Sequence, residues 1–572
     1  MLHHLLGRGE SEPGFVARNI HWQIVVGENG TVSGILPLGD EKTGLRHDKC
    51  PNMHNMNAGG RAHFMAESVQ NAAFYFKDGE DETEKLRPRH EFFWDLIKEA
   101  AKEEPKLEPL YRLYANADEM ARLRGLIDEQ KIKPTQWIKF TVDDFDPLQT
   151  ESVLAFWRNW RQKDLEASKK PAKKGKQSDR MLCLLTGELI EPALIHNKIK
   201  GLAGVGGLGT GDVVAGFDKD AFQSYGLDKS MNAAMGEEVM AAYSGALNDL
   251  LESSSRKLGN AKVAHWFDRT VKPEDDPVAF LDDPTDPDQQ KQEAAAAKQK
   301  ATALFEAIKS GKRPDLANHR YFALTLSGAS GRVMVRDWME GSFEELAGNI
   351  AAWFEDLQIV RRDDANVLAP DPKFLAVAGS MVRELKELQA PTAQQLWRTA
   401  IQNQPIPYAF LAQALHRFRA DIVKGETPNH ARMGLMKAYF VRKGDKQMGA
   451  YLNPEHPDAA YHCGRLMAVL ARLQYAALGD VGANVVQRYY IAASQTPALV
   501  FGRLMSNAKN HLNKLDGGLA HWFEDKLADI MGQMGDAMPR TLDLERQSLF
   551  ALGYYQQLAA ERESKTKTEN KE

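Results

Sequence analysis

Hydrophobic and polar positions alternate early in the chain. Ile20, Trp22, Ile24 and Val26 interleave with His21, Gln23 and Val25, then Gly27-Glu28-Asn29-Gly30 breaks the run and Thr31 to Leu36 resumes it. Asn and Gly both tolerate positive φ, so this pattern predicts a β-hairpin. The polar stretch Met53 to Gly60 predicts a loop. Helices are predicted over Glu91–Lys102, Asp118–Lys131 and 150–167, the last with Val153, Phe156, Trp157 and Trp160 at helical spacing. Trp137 to Val142 and Met181 to Leu185 read as strands. A second hairpin is predicted from Tyr321–Leu326 and Arg332–Arg336 around Ser327-Gly328-Ala329-Ser330-Gly331.

Beyond about residue 385 the period-2 signal ends and apolar stripes take over. One runs through Leu466, Val469, Leu470, Leu473 and Ala477, another through Val500, Leu504, Ala508 and Leu512, and a third through Trp522, Phe523, Leu527, Ile530 and Met534. The expected class is therefore α+β: a mixed region with β-hairpins and helices over 1–385, an α-helical bundle over 386–560 and a charged tail over 561–572. Residues 161–180 carry eight Lys/Arg against three Asp/Glu and read as a basic linker or a phosphate-contacting tether. Residues 274–297 carry eight Asp/Glu against one Lys and read as an acidic surface loop.

Charge enters here. The 572 residues hold 73 Lys/Arg and 78 Asp/Glu, a net −5, which taken whole argues mildly against nucleic acid as a partner. Yet the acidic stretch alone supplies −7, and residues 430–572 hold eighteen Lys/Arg against fifteen Asp/Glu. Cys50, Cys183 and Cys463 are far apart, with no C-x-x-C pair, so neither a zinc ribbon nor a disulfide framework is expected. The usage fits a reducing cytoplasm. The opening residues are too short for a signal h-region, and no apolar run is long enough to span a membrane.

The catalytic signals are weak. Gly204-Val205-Gly206-Gly207-Leu208-Gly209 matches G-x-G-x-x-G, but the following Val213-Val214-Ala215 reads as extended, so a dinucleotide site is not expected. A glycine loop approaching a nucleic-acid backbone stays open. His47-Asp48 and the carboxylates Asp143, Asp144 and Asp146 define a rival reading as a metal-dependent nuclease. No cofactor is expected, and no enzymatic activity.

Several stretches form an ordered series. Cys183-Leu184-Leu185-Thr186-Gly187-Glu188 is followed by His196-Asn197-Lys198-Ile199-Lys200-Gly201, Tyr243 and Ala246-Leu247-Asn248-Asp249. Near the end come Ala460-Tyr461-His462-Cys463-Gly464-Arg465, Arg488-Tyr489-Tyr490 and Phe550-Ala551-Leu552-Gly553-Tyr554-Tyr555-Gln556-Gln557. From about Gly14 to Ala560 the chain resembles the large subunit of the type I-C CRISPR Cascade effector complex. Two departures stand out: Asp218 follows Gly216-Phe217 where the family has Asn, and Gln70 precedes Asn71 where the family has Asp.

The resemblance implies a non-catalytic surveillance subunit. It would sit at the 5′ end of a CRISPR RNA guide, recognise the protospacer-adjacent motif (PAM) on double-stranded DNA, and help open the duplex into an R-loop. Backbone and crRNA-processing subunits would be its partners, and a separate helicase–nuclease would be recruited afterwards. The helical part resembles the small subunit, and is expected to be made separately from an internal start at Met433, Met436 or Met448. Because guide pairing reads the sequence, such a protein needs only PAM readout and backbone contacts.

On this reading Asn71 and Gln70 contact PAM bases, with Asn55, Asn57 and Arg61 nearby; the competing reading is that Asn71 caps a helix or turn. Lys198 and Lys200 are candidates for the guide or target backbone. Arg465, Arg472 and Arg488, with Arg503, Asn507, Asn510 and Lys514 on one side of a predicted helix, form a candidate face for the displaced strand, or a plain solvated face. A purely structural assembly subunit is the third alternative.

Overall fold

The structure is a computed structural model. It describes all residues except 9–11, 41, 54–55, 57–59, 77–82, 169–179, 223–224, 283–295, 536–537 and 570–572. The lysine-rich part of the basic linker and most of the acidic stretch therefore lie outside the described residues. The chain divides into two compact units. The first comprises 1–201 and 209–253, the second 202–208 and 254–572.

In the first unit the strands are β1 (Phe15–Ile20), β2 (Trp22–Val26), β3 (Val32–Pro37), β4 (Leu45–Pro51), β5 (Ala66–Ser68), β6 (Trp137–Val142), β7 (Met181–Leu182) and β8 (Leu189–Ile190). Its helices are α1 (Val69–Ala72), α2 (Thr83–Ala100), α3 (Glu108–Ala115), α4 (Ala117–Glu129), α5 (Glu151–Ser168) and α6 (Glu237–Ser253). The central sheet has the order β3-β2-β6-β5. The predicted hairpin is β2–β3, and Gly30 supplies the positive φ of its turn at 84°. A Cβ there would meet the Arg112 side chain at 2.7 Å, so packing also excludes one. β6 runs parallel to β2 in the middle of the sheet. Apolar side chains from the sheet meet Phe93, Trp94 and Trp157 of α2 and α5 in one core. β1 and β4 pair separately, as do β7 and β8.

The second unit starts with the meander β9 (Ser255–Leu258), β10 (Ala261–Phe267), β11 (Arg320–Ala329) and β12 (Arg332–Ser342), joined by α7 (Ala297–Lys309) between β10 and β11. The second predicted hairpin is β11–β12, turned by left-handed Ser330 and Gly331. After α8 (Phe343–Leu357) and the pair β13 (Val360–Arg361) and β14 (Asp364–Leu368), the described residues hold helices only. These are α9 (Phe374–Ser380), α10 (Ala390–Ile401), α11 (Tyr408–Val423), α12 (His430–Lys443), α13 (Ala459–Leu478), α14 (Val485–Gln495), α15 (Pro497–Leu512), α16 (Gly517–Gly532) and α17 (Leu544–Glu569). The division expected at 385 falls inside this unit, because one core runs from Val263 and Tyr321 of the sheet to Leu466 and Phe550 of the bundle. The residues called a charged tail largely continue α17.

α13 and α17 cross backbone to backbone. A Cβ on Gly464 would fall 1.9 Å from the Phe550 carbonyl oxygen, and one on Gly553 would fall 2.1 Å from that of Tyr461. The Tyr461 hydroxyl donates to Gln556, and Arg465 Nε donates to Gln557 Oε1 at 3.0 Å. Two sequence stretches nearly ninety residues apart are thus the two halves of one crossing. Among the described residues no helix is long and apolar enough to cross a membrane.

Candidate nucleic-acid interface

Met53 after β4 and His63 before β5 belong to one largely buried polar hub, and Arg61 is held beside it by α5. Arg18 on β1 donates through a terminal guanidinium nitrogen to Asn52 Oδ1 at 3.1 Å, and its guanidinium carbon lies 3.7 Å from the ring centroid of Trp137 on β6. The Met53 amide donates to His63 Nδ1 at 3.0 Å. The His63 amide in turn donates to Glu67 Oε2 at 2.9 Å, and the His63 ring sits 5.4 Å from that of Trp137. Arg61 grips Asp164 of α5 with two hydrogen bonds of 2.6 and 3.0 Å.

Glu67 is a buried carboxylate at the centre. Its Oε1 accepts from the Ser68 amide, the Ser68 hydroxyl and Asn71 Nδ2 at 2.7, 3.0 and 3.0 Å. N–H and O–H donors thus stand in for water around this buried side chain. His63 is held well below the ordinary histidine range, chiefly by burial and then by the charges of Arg18, Lys200 and Arg89. A neutral ring keeps Nδ1 free to accept from Met53.

The predicted PAM residues fare unequally. Asn71 is buried, its Nδ2 donating to Glu67, and its backbone carbonyl accepts from His90 Nδ1 at 2.9 Å. It neither faces solvent nor caps a helix: it positions Glu67. Gln70 beside it is half-buried. Arg61 is half-buried in its ion pair. Asn55 and Asn57 lie outside the described residues. Arg18, His63 and Trp137 escaped sequence reasoning, because single residues on separate elements carry no signal that the fold brings them together.

Lys198 and Lys200 are exposed on a strap fastened to α6. His196 Nδ1 lies 2.8 Å from the Tyr243 hydroxyl, and Asn197 donates to Ser244 Oγ at 3.2 Å. The Lys200 amide donates to Asn248 Oδ1 at 2.7 Å, and Asn248 Nδ2 donates back to the Lys198 carbonyl at 3.3 Å. Buried Ile199 between them turns both lysines outward. Although exposed as a residue, Lys200 is shifted below the usual lysine range, by burial of its ammonium end and then by Arg18, with Glu252 opposing. The strap and the hub thus share one electrostatic neighbourhood.

Part of the glycine run is taken up by packing within the second unit. Gly206 and Gly207 pack on Gly328 of β11, where a Cβ would meet Gly207 Cα at 2.1 Å, and Ser330 donates to the Gly206 carbonyl. This contact engages Gly206 and Gly207, whereas Gly204 and Gly209 are exposed.

The bundle face needs correction as well. Arg465 is buried, donating to Gln557, to the Pro454 carbonyl and to His462 Nδ1 at 3.0 Å each. Arg472 is drawn to Glu561, donating to its carbonyl at 2.6 Å. Arg465 thus faces α17 rather than solvent, and Arg472 is half-buried beside Glu561. Arg488, Arg503, Asn507, Asn510 and Lys514 are exposed, with Lys509 beside them. The Arg503 guanidinium carbon lies 6.0 Å from the ring centroid of Tyr489, bringing α15 against α14.

Of the carboxylates of the nuclease reading, Asp48 and Asp146 are engaged in ion pairs and Asp143 and Asp144 are exposed. Asp48 pairs with Arg46 at 2.7 Å. Asp146 pairs with Lys139 at 2.6 Å and caps the turn at Leu148. His47 is shifted below its usual range by burial and then by Lys139. Among the described residues no group of three or more His, Cys, Asp or Glu is gathered to hold a metal ion.

The family model of the CRISPR-associated protein Cas_Csd1 matches residues 4–561. No curated protein matches the chain.

Proposed function

Since the chain belongs to the Cas_Csd1 family of CRISPR-associated proteins, we propose that it is the large subunit of a type I-C Cascade complex, binding PAM-containing double-stranded DNA beside a crRNA guide. One observation carries this reading: both ends of the Asn- and Gly-rich stretch 53–61 are held, Met53 by His63 of the hub and Arg61 by Asp164 of α5. A reading loop needs fixed ends so that its contacts are not diluted by conformational entropy. PAM readout then belongs to this stretch, with Asn71 and Glu67 as positioning residues and Lys198 and Lys200 on phosphate. Duplex opening and R-loop formation follow, with the displaced strand along the basic side of α14 and α15. Cleavage is left to the recruited helicase–nuclease.

The small subunit comes from the same reading. Met433 and Met436 lie inside α12, so a start there would cut the helix. Met448 lies between α12 and α13, and a product beginning there keeps α13 through α17 and the glycine crossing whole. We take Met448 as the start.

The test is duplex binding by the assembled complex with and without the PAM, using wild type and a chain in which Asn55 and Asn57 are alanine. PAM-dependent binding that the variant loses supports the reading. Equal binding by both chains, or duplex cleavage by the purified chain with Mg²⁺ or Mn²⁺, overturns it.

A further inference from the structure

Arg419 is the exception among the arginines of α11 and α12. Arg417 and Arg432 share the Asp421 carboxylate, each at 2.7 Å, and Arg442 holds Asp356 at 2.7 Å. Arg419 Nε and Nη2 are buried, and no acceptor among the described residues reaches either. The titratable group that acts on this guanidinium is Tyr490 of α14, whose hydroxyl is itself buried without a hydrogen-bond partner. Tyr490 is 0% exposed, whereas Arg419 as a residue is half-buried, so the pair borders on solvent at the arginine.

The packing around Tyr490 brings in further donors. Its ring meets Phe418, next to Arg419 on α11, at 5.5 Å, and Tyr554 of α17 at 5.4 Å, both T-shaped. The Tyr555 hydroxyl donates to the Val360 carbonyl at 3.0 Å and so anchors the β13–β14 turn, from which half-buried Arg362 acts on Tyr554. The acids of that turn are engaged, Asp363 by Arg361 at 2.7 Å and Asp364 by the Asn366 amide at 3.0 Å. Burial holds Tyr490 and Tyr554 above the ordinary tyrosine range, so both keep their O–H. A guanidinium without an acid and a buried hydroxyl without an acceptor are both costly, and an anion that takes their hydrogen bonds removes the cost. The planar guanidinium fork matches the oxygens of a phosphate group.

We propose that Arg419, Tyr490, Tyr554 and Arg362 form a seat for one phosphate group where α11, α14, α17 and the β13–β14 turn meet. The group is either free inorganic phosphate or a phosphodiester of single-stranded nucleic acid, which present the same oxygens. The seat does not depend on the functional reading above.

The test uses the full-length chain as wild type, Tyr490→Phe and Arg419→Gln. Each is melted in sodium phosphate and in sodium chloride of equal ionic strength, and each is titrated with a labelled single-stranded oligonucleotide. Wild type should melt at least ~2 °C higher in phosphate than in chloride, because a ligand of the folded state raises its stability. Tyr490→Phe removes a hydroxyl that has no partner within the protein, so in chloride it should melt no lower than wild type. Losing one donor to an anion should weaken phosphate binding ~10-fold or more, and the gain in phosphate should disappear in both variants. Strand binding that falls ~10-fold in both variants assigns the group to a phosphodiester. Strand binding that holds while the phosphate gain disappears assigns it to free phosphate. Equal melting of wild type in the two salts, together with unchanged strand binding by both variants, overturns the seat. A phosphate gain that both variants retain overturns it too.

Discussion

The guanidinium of Arg18 lies 3.7 Å from the ring centroid of Trp137, which stands on another strand and 119 positions away in the chain. A cation over an indole that is partly withdrawn from water is worth ~1–2 kcal/mol. Arg18→Ala should cost ~1–3 kcal/mol in urea denaturation, since the hydrogen bond to Asn52 is lost too. Arg18→Lys should recover only part, because an ammonium offers no flat face to the ring. A double-mutant cycle with Trp137→Leu should show positive coupling; a coupling of zero would refute the stacked geometry as an energetic contact.

Asn71 tests whether a buried amide positions or reads. Asn71→Ala removes one of the donors on the buried Glu67 carboxylate and should lower stability by ~1–2 kcal/mol. Asn71→Asp should be worse at neutral pH, as two carboxylates would then face each other. A chain that keeps its stability as Asn71→Ala but changes its PAM preference would show that Asn71 touches bases after all.

The exposed and buried arginines of the bundle should behave as different classes. Charge reversal at Arg488, Arg503 and Lys514 should leave the melting temperature nearly unchanged. It should flatten the log–log salt dependence of single-strand binding by about 2, if each contributes a phosphate contact. Arg465→Glu should instead unfold the bundle, because it places an acid among Gln557, His462 and the Pro454 carbonyl. Circular dichroism with salt-titrated binding separates the two.

His196 gives the strap a pH limit. Burial beside Tyr243 pulls it down from 6.5 to about 4. The unfolded chain then binds the proton first, so stability is unaffected above pH 6.5 and falls as pH drops from 6.5 toward 4. The full loss is about 3 kcal/mol. Denaturation midpoints for His196→Gln should be flatter over that window than for wild type; parallel curves would remove His196 from the acid response.

The glycine crossing predicts a sharp steric effect. Gly464→Ala must displace the Phe550 carbonyl, and Gly553→Ala that of Tyr461, each at a cost of ~3 kcal/mol or more. Thermal melts of either variant should fall by many degrees, whereas Gly502→Ala, which meets nothing within 4 Å on α15, should not.

Local pattern fixed much of this fold. The turn at Gly30, the strand Trp137–Val142 and the stripes of α13, α15 and α16 follow from alternation, positive φ and the 3.6-residue period, all properties of short stretches. Tertiary structure decided what those stretches face. Arg465 and Arg488 look alike in sequence, yet one is sealed by α17 and the other meets water. The sequence leaves open a glycine loop approaching a nucleic-acid backbone over 204–209, yet Gly328 stands against Gly206 and Gly207. Leu182 and Leu184 read as an ordinary strand, although it is Cys183 that points inward. Burial depends on contacts between residues distant in the chain, and a periodic pattern specifies which side chains share a face without specifying what covers it.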